Sequence, residues 1–228
     1  MDPSPDSNQR EAAKSERHEE PLAFRAVRGG LWLAVSSYFN IGFGFIATLI
    51  LTRLLAPEHF GIIALASFFF WLINIQVKIG LGFAVARHRE ITGELVGTFL
   101  GASMLAGTAN LFLATIAAPI LFALNYSSDV IIATLVLASV SLIDSATGIP
   151  GILLDQHLHF KQTSLVTSIV FPISYLPAFY LALNRGGYWS LLAQNATFAI
   201  LQMIGLWWMA RRILPEMWQV RWRFDRQL

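Results

Sequence analysis

The chain has 228 residues, 55% of them hydrophobic and 13% charged, with a formal net charge of +2. A soluble domain carries about 25% charged residues, so this composition excludes an ordinary globular domain, and no nucleic-acid partner is expected from so small a charge. Cysteine is absent, which removes disulfides and thiol chemistry.

The few charges are segregated into short connectors between long uncharged stretches. That is the pattern of an all-α, polytopic membrane protein, because a helix satisfies its own backbone polar groups in lipid. A transmembrane β-barrel needs strict alternation over segments of about ten residues, and the sequence shows none.

Residues 1–24 are polar and rich in Pro, Ser and charge, a composition expected of a disordered tail. They lack the apolar core of a cleavable signal peptide, so the first span is expected to act as an uncleaved anchor. Six apolar segments follow, at about 31–52, 60–86, 95–124, 130–154, 165–183 and 188–210, forming a lobe over 25–212. A basic tail, 213–228, closes the chain. Connectors this short make successive helices antiparallel.

Thirteen Lys and Arg residues fall on the side of the termini: Arg10, Lys14, Arg17, Arg25, Arg28, Arg87, Arg89, Lys161, Arg211, Arg212, Arg221, Arg223 and Arg226. Two, Arg53 and Arg185, fall on the other. Under the positive-inside rule both termini are expected to be cytoplasmic.

The first segment is not apolar all round. Ser37, Asn40 or Ile41, Gly44, Thr48 and Thr52 recur at helical spacing, and such a strip is expected to face other helices or a cavity. In the second segment Ser67, Trp71, Asn74, Lys78 and Gly82 share one side of a helix, and Asn195, Gln202 and Gly205 repeat the pattern in the sixth. The bland alternative is that these amides only join helices by hydrogen bonds of about 1 kcal/mol each.

Within the spans lie one basic residue, Lys78, and one acidic residue, Asp144. Each costs roughly 2.5–3.5 kcal/mol at mid-bilayer and is a candidate functional group. At about 1.5 Å per residue both sit roughly 13–17 Å from the cytoplasmic helix ends, so they are placed to pair or to line one cavity. Alternatively, Lys78 snorkels to the surface, or span four ends early at Gly148, Pro150 and Gly151, which puts Asp144 near the interface.

Weaker features follow. Gly97 and Gly101 form a G-x-x-x-G expected to pack helices, and Pro172 and Pro177 are expected to kink span five. Trp32, Tyr188 and Trp189 stand near span ends, as interfacial aromatics do. His157 and His159 lack a second metal-ligand cluster, so no metal or other cofactor is expected. With no HExxH, G-x-S-x-G or nucleotide-binding glycine loop, no enzyme activity is expected either.

Four strings carry a resemblance to a known family: Thr52-Arg53-Leu54-Leu55-Ala56-Pro57-Glu58-His59-Phe60-Gly61, Gly80-Leu81-Gly82-Phe83-Ala84, the LLDQHLHFK of 153–161, and Gly186-Gly187-Tyr188-Trp189-Ser190-Leu191. In order and spacing they resemble the polysaccharide (O-antigen type) flippases of the multidrug/oligosaccharidyl-lipid/polysaccharide exporter superfamily. Gln156, His157 and His159 stand where that family usually carries more charge.

The resemblance implies a MATE-like lobe that moves a polyprenyl-pyrophosphate-linked sugar across the bacterial inner membrane by alternating access, for O-antigen, lipopolysaccharide or exopolysaccharide synthesis. It also implies that the chain covers only the first of two lobes. It would then be a fragment, a truncated product or a half-size protein that pairs with a second lobe or a second copy. The cavity candidates are Lys78, Asn74, Asp144, Arg53, Arg28, Asn40 and Gln202, with Lys78, Arg28 and Arg53 supplying positive charge for the pyrophosphate. Two alternatives remain at this point: a drug or cation antiporter depending on Asp144, and a non-transporting remnant or assembly partner of a synthesis complex.

Overall fold

The computed structural model describes residues 22–86, 93–156 and 160–213. The expected tails lie outside these residues apart from 22–24 and 213, and so do Arg87, Arg89, His157 and His159. Among the described residues all regular structure is helical. The helices are α1 (Leu22–Leu54), α2 (Pro57–Ala86), α3 (Gly93–Ala123), α4 (Ser128–Gln156), α5 (Phe160–Leu183) and α6 (Trp189–Ile213).

Five hold stretches long and apolar enough to cross a bilayer: Gly29–Leu54, Pro57–Asn74, Gly97–Ala123, Ser128–Gly148 and Phe160–Leu183. The sixth helix, α6, has 25 residues and is long enough at roughly 37 Å. Gln194, Asn195, Gln202 and a terminal Arg pair make it more polar than the others. The chain is thus an all-α, multi-pass membrane protein.

The helix ends follow from local chemistry. Pro57 opens α2 with a preset φ and no N–H to leave unpaired, and Glu58 lies in the first turn, where the helix dipole favours negative charge. The end of α3 turns on Asn125, at φ 62°, with the Tyr126 N–H donating to the Leu121 carbonyl at 3.1 Å. The end of α5 repeats this on Arg185, at φ 61°, where the Gly186 N–H donates to the Leu181 carbonyl at 2.7 Å. Both are six-to-one closures of a helix C-terminus. A Cβ on Gly186 would stand 2.9 Å from the Leu181 oxygen, so the close turn needs glycine there.

The helices pack in a row, α1 on α5, α5 on α6 and α6 on α4, with α2 and α3 against the far side of α4. α4 is the most enclosed: 44% of its apolar stretch is buried, against 11% for α1 and for α2. Leu154 of α4, Val166 and Val170 of α5, and Leu206 and Ala210 of α6 form one cluster. Ala66 of α2, Ala133 and Leu137 of α4, and Tyr188 and Leu192 form another.

Early termination of span four does not occur, because α4 runs through Pro150 to Gln156. Proline has no N–H for the carbonyl four residues back, here that of Ala146. The indole Nε1–H of Trp207 donates to that oxygen at 2.9 Å, so an α6 side chain replaces the missing backbone bond. Pro172 and Pro177 likewise lie inside one uninterrupted helix, α5.

The expected G-x-x-x-G packing is not seen at Gly101, where an added Cβ would meet open space. The close α3–α4 approach is at Gly107, whose Cβ would lie 2.5 Å from Ser145 Oγ and 3.0 Å from Ser145 Cβ.

Candidate functional site

The polar interior is a seam where α5 lies between α1 and α6. From α1, Ser36 Oγ donates to the Ser164 carbonyl at 3.1 Å and stands 2.6 Å from Ser168 Oγ. One turn further along α1, Asn40 is half-buried, and its Oδ1 is enclosed without a hydrogen-bond partner. On the α6 side, Gln202 Nε2 donates to Thr167 Oγ1 at 2.9 Å, while Gln202 Oε1 is enclosed and unpartnered, as is Ser164 Oγ. Phe43, Phe171, Tyr175 and Phe198 adjoin the seam in edge-to-face pairs with centroids 5.4–6.3 Å apart.

Two of the expected residues, Asn40 and Gln202, thus belong to this seam. Asn74 is buried on α2 at 5% exposure. Arg53 is exposed in the last turn of α1. Asp144 is exposed on α4, four residues before the apolar stretch ends at Gly148. Arg28 and Lys78 lie on α1 and α2, but their side-chain surroundings fall outside the described residues, and so does the expected Lys78–Asp144 pairing.

The expected strips need correction. On α1 the enclosed face is Ser36, Ala47 and Leu51, continued by Leu55 just past the helix end, with Asn40 and Gly44 beside it, whereas Ser37, Thr48 and Thr52 are exposed. Ser37 and Thr52 return their hydroxyls to the helix's own carbonyls, Leu33 and Leu49, each at 2.8 Å. A hydroxyl satisfied in this way faces lipid without an unpaired donor. On α2, Trp71 is 62% exposed while Asn74 is buried. The buried face is centred on Ala66 and Phe70, and Trp71 lies roughly 100° of helix turn from Phe70. On α6, Asn195 is exposed and donates to Leu191 O at 2.9 Å, leaving Gln202 and Gly205 on the inner face. A Cβ on Gly205 would stand 2.7 Å from Val166 Cγ1, which marks the α5–α6 crossing.

Several members were missed: Ser36, Ser164, Thr167 and Ser168. The i, i+3, i+4 spacing of the last three is the signal that marks them. A second enclosed polar contact, Asn110 Nδ2 to Ser141 Oγ at 2.8 Å, joins α3 to α4. Tyr188, expected as an interfacial anchor, is instead 9% exposed and donates its hydroxyl to Asp129 Oδ1 at 3.1 Å. Among the described residues no group of three or more His, Asp or Glu gathers to hold a metal ion.

Such a seam holds hydrogen-bonding capacity inside an apolar bundle. No curated protein and no solved structure matches the chain. A family model described as polysaccharide biosynthesis protein matches residues 50–227, from the last turn of α1 onward. This multi-pass helical chain belongs to the polysaccharide biosynthesis protein family.

Proposed function

We propose that the chain is a lobe of a transporter that flips a polyprenyl-pyrophosphate-linked oligosaccharide from the cytoplasmic to the outer leaflet of the bacterial inner membrane. The product would feed O-antigen, lipopolysaccharide or exopolysaccharide synthesis. The observation that carries this reading is a family match in polysaccharide biosynthesis on a helical bundle with enclosed, unpaired oxygens at Asn40 and Gln202. A bundle that must open and close tolerates polar groups whose partners arrive in another state. The role is transport without enzyme activity, both termini are cytoplasmic, and a second lobe or a second copy completes the cavity. Lys78, with Arg28 and Arg53, supplies positive charge for the pyrophosphate.

The test is reconstitution of the chain in liposomes loaded with the lipid-linked oligosaccharide, followed by a membrane-impermeant glycosidase that attacks only outward-facing sugar. Protein-dependent exposure of the inner pool is expected, with Lys78→Gln reducing the rate at least about tenfold, as loss of a charged contact of 1.5–3 kcal/mol implies. No exposure, from the chain alone or with its co-purifying partner, would sink the transport reading and leave an assembly role. Loss of activity in Asp144→Asn with none in Lys78→Gln would favour a cation antiporter.

A further inference from the structure

Three cation–aromatic pairs gather at one end of the α1–α5–α6 row. Lys161 Nζ, at the start of α5, lies 5.3 Å from the Trp32 ring of α1. At the end of α6, Arg211 lies 5.5 Å from the Trp207 ring and Arg212 lies 5.3 Å from the Trp208 ring. Seam contacts fix these ends as neighbours: Ser36 meets Ser164 and Ser168, and Gln202 meets Thr167.

All three cations are exposed, and Trp32 and Trp208 are 38% and 59% exposed. No Asp or Glu occurs anywhere along α1, α5 or α6. Any protein carboxylate that pairs with these cations therefore comes from off these helices. Asp155 of α4 is the nearest carboxylate in sequence to Lys161, and its side chain lies outside the described residues. Indoles at such a position sit at headgroup depth, and the cations they carry project to the level of lipid phosphates.

We propose that the Lys161–Arg211–Arg212 edge, floored by Trp32, Trp207 and Trp208, is a docking surface for the phosphate headgroups of anionic phospholipid. Arginine matches phosphate oxygens with paired N–H donors, and the indoles hold each cation while supplying an apolar wall for the acyl chains. The surface lies on the outer edge of the bundle, separate from the enclosed seam, and does not depend on the transport reading.

The test uses the full chain in nanodiscs made of phosphatidylcholine and phosphatidylglycerol in equal parts, with retained lipid read by native mass spectrometry after transfer to mild detergent. The wild type is expected to retain phosphatidylglycerol preferentially, and the Lys161→Gln, Arg211→Gln, Arg212→Gln triple variant to lose that preference, at about fivefold per charge removed. Equal retention of both lipids by the wild type, or an unchanged preference in the triple variant, overturns the proposal. Should the triple variant fail to fold, the wild type still decides: the preference must fall as salt rises, and insensitivity to salt overturns it. Displacement of bound lipid by soluble inorganic pyrophosphate, or by polyprenyl phosphate at equal concentration, would assign the three cations to another phosphate and equally overturn it.

Discussion

At the scale of single residues, the most consequential contact is the one between Trp207 and the Ala146 carbonyl. Pro150 removes a backbone bond from the most enclosed helix of the bundle, and α6 returns it. In Trp207→Phe an aromatic ring remains but the N–H goes with the pyrrole half of the indole, so the carbonyl is left unpaired at an expected cost of about 1 kcal/mol beyond the lost packing. In a Pro150→Ala background the main chain supplies its own N–H, so the same Trp207→Phe change should cost only the lost packing, about 1 kcal/mol less. Unfolding of the four proteins in mixed detergent measures the coupling directly. Equal costs in both backgrounds would mean that the indole merely packs. Nothing in the sequence announced this pair, since Ala146 and Trp207 are 61 positions apart and each is unremarkable alone. Hydroxyls misled for a related reason. Ser36 and Ser37 differ in sequence by nothing but register, yet one bridges to α5 and the other bonds its own helix.

At the scale of elements, the helices themselves were legible and their contact faces were not. Long apolar runs punctuated by Pro57, Asn125 and the Gly186-Gly187 pair mark where helices start and stop, because those residues set backbone geometry locally. Faces are harder to read in a membrane protein, because lipid and protein interior are equally apolar and only close packing separates them. The glycines of α3 show this. Gly97 and Gly101 have the motif spacing, but the tight crossing is at Gly107. Gly107→Ala is therefore expected to destabilise the fold by about 1–3 kcal/mol through overlap with Ser145 and Leu142. Gly101→Ala should be neutral or stabilising by up to about 1 kcal/mol, since alanine is the better helix former. Thermal or detergent unfolding of both variants decides the matter, and a larger loss at Gly101 would restore the motif as the packing site.

At the scale of the whole molecule, the open question is set by α6. It is the most polar helix, yet it sits between α4 and α5 and carries the seam through Gln202 and Gly205. Its neighbours supply the apolar surface its own side chains lack, which is why a helix below the hydropathy of the other five still belongs inside the bundle. A crossing α6 puts Asn184 and Arg212 on opposite sides of the membrane, and the orientation proposed from the charge asymmetry would place Arg212 in the cytoplasm. The chain has no cysteine, so Asn184→Cys and Arg212→Cys each introduce a single reporter, and both positions are exposed. With a membrane-impermeant maleimide on intact spheroplasts, Asn184→Cys is expected to label at once and Arg212→Cys only after permeabilisation. The reverse pattern would overturn the cytoplasmic assignment of the termini while leaving the fold intact. Labelling of both from one side would mean that α6 does not cross. The lobe would then be built on five spans, an odd number that puts its two ends on opposite faces, so that a like lobe joined directly behind it would be inverted in the membrane.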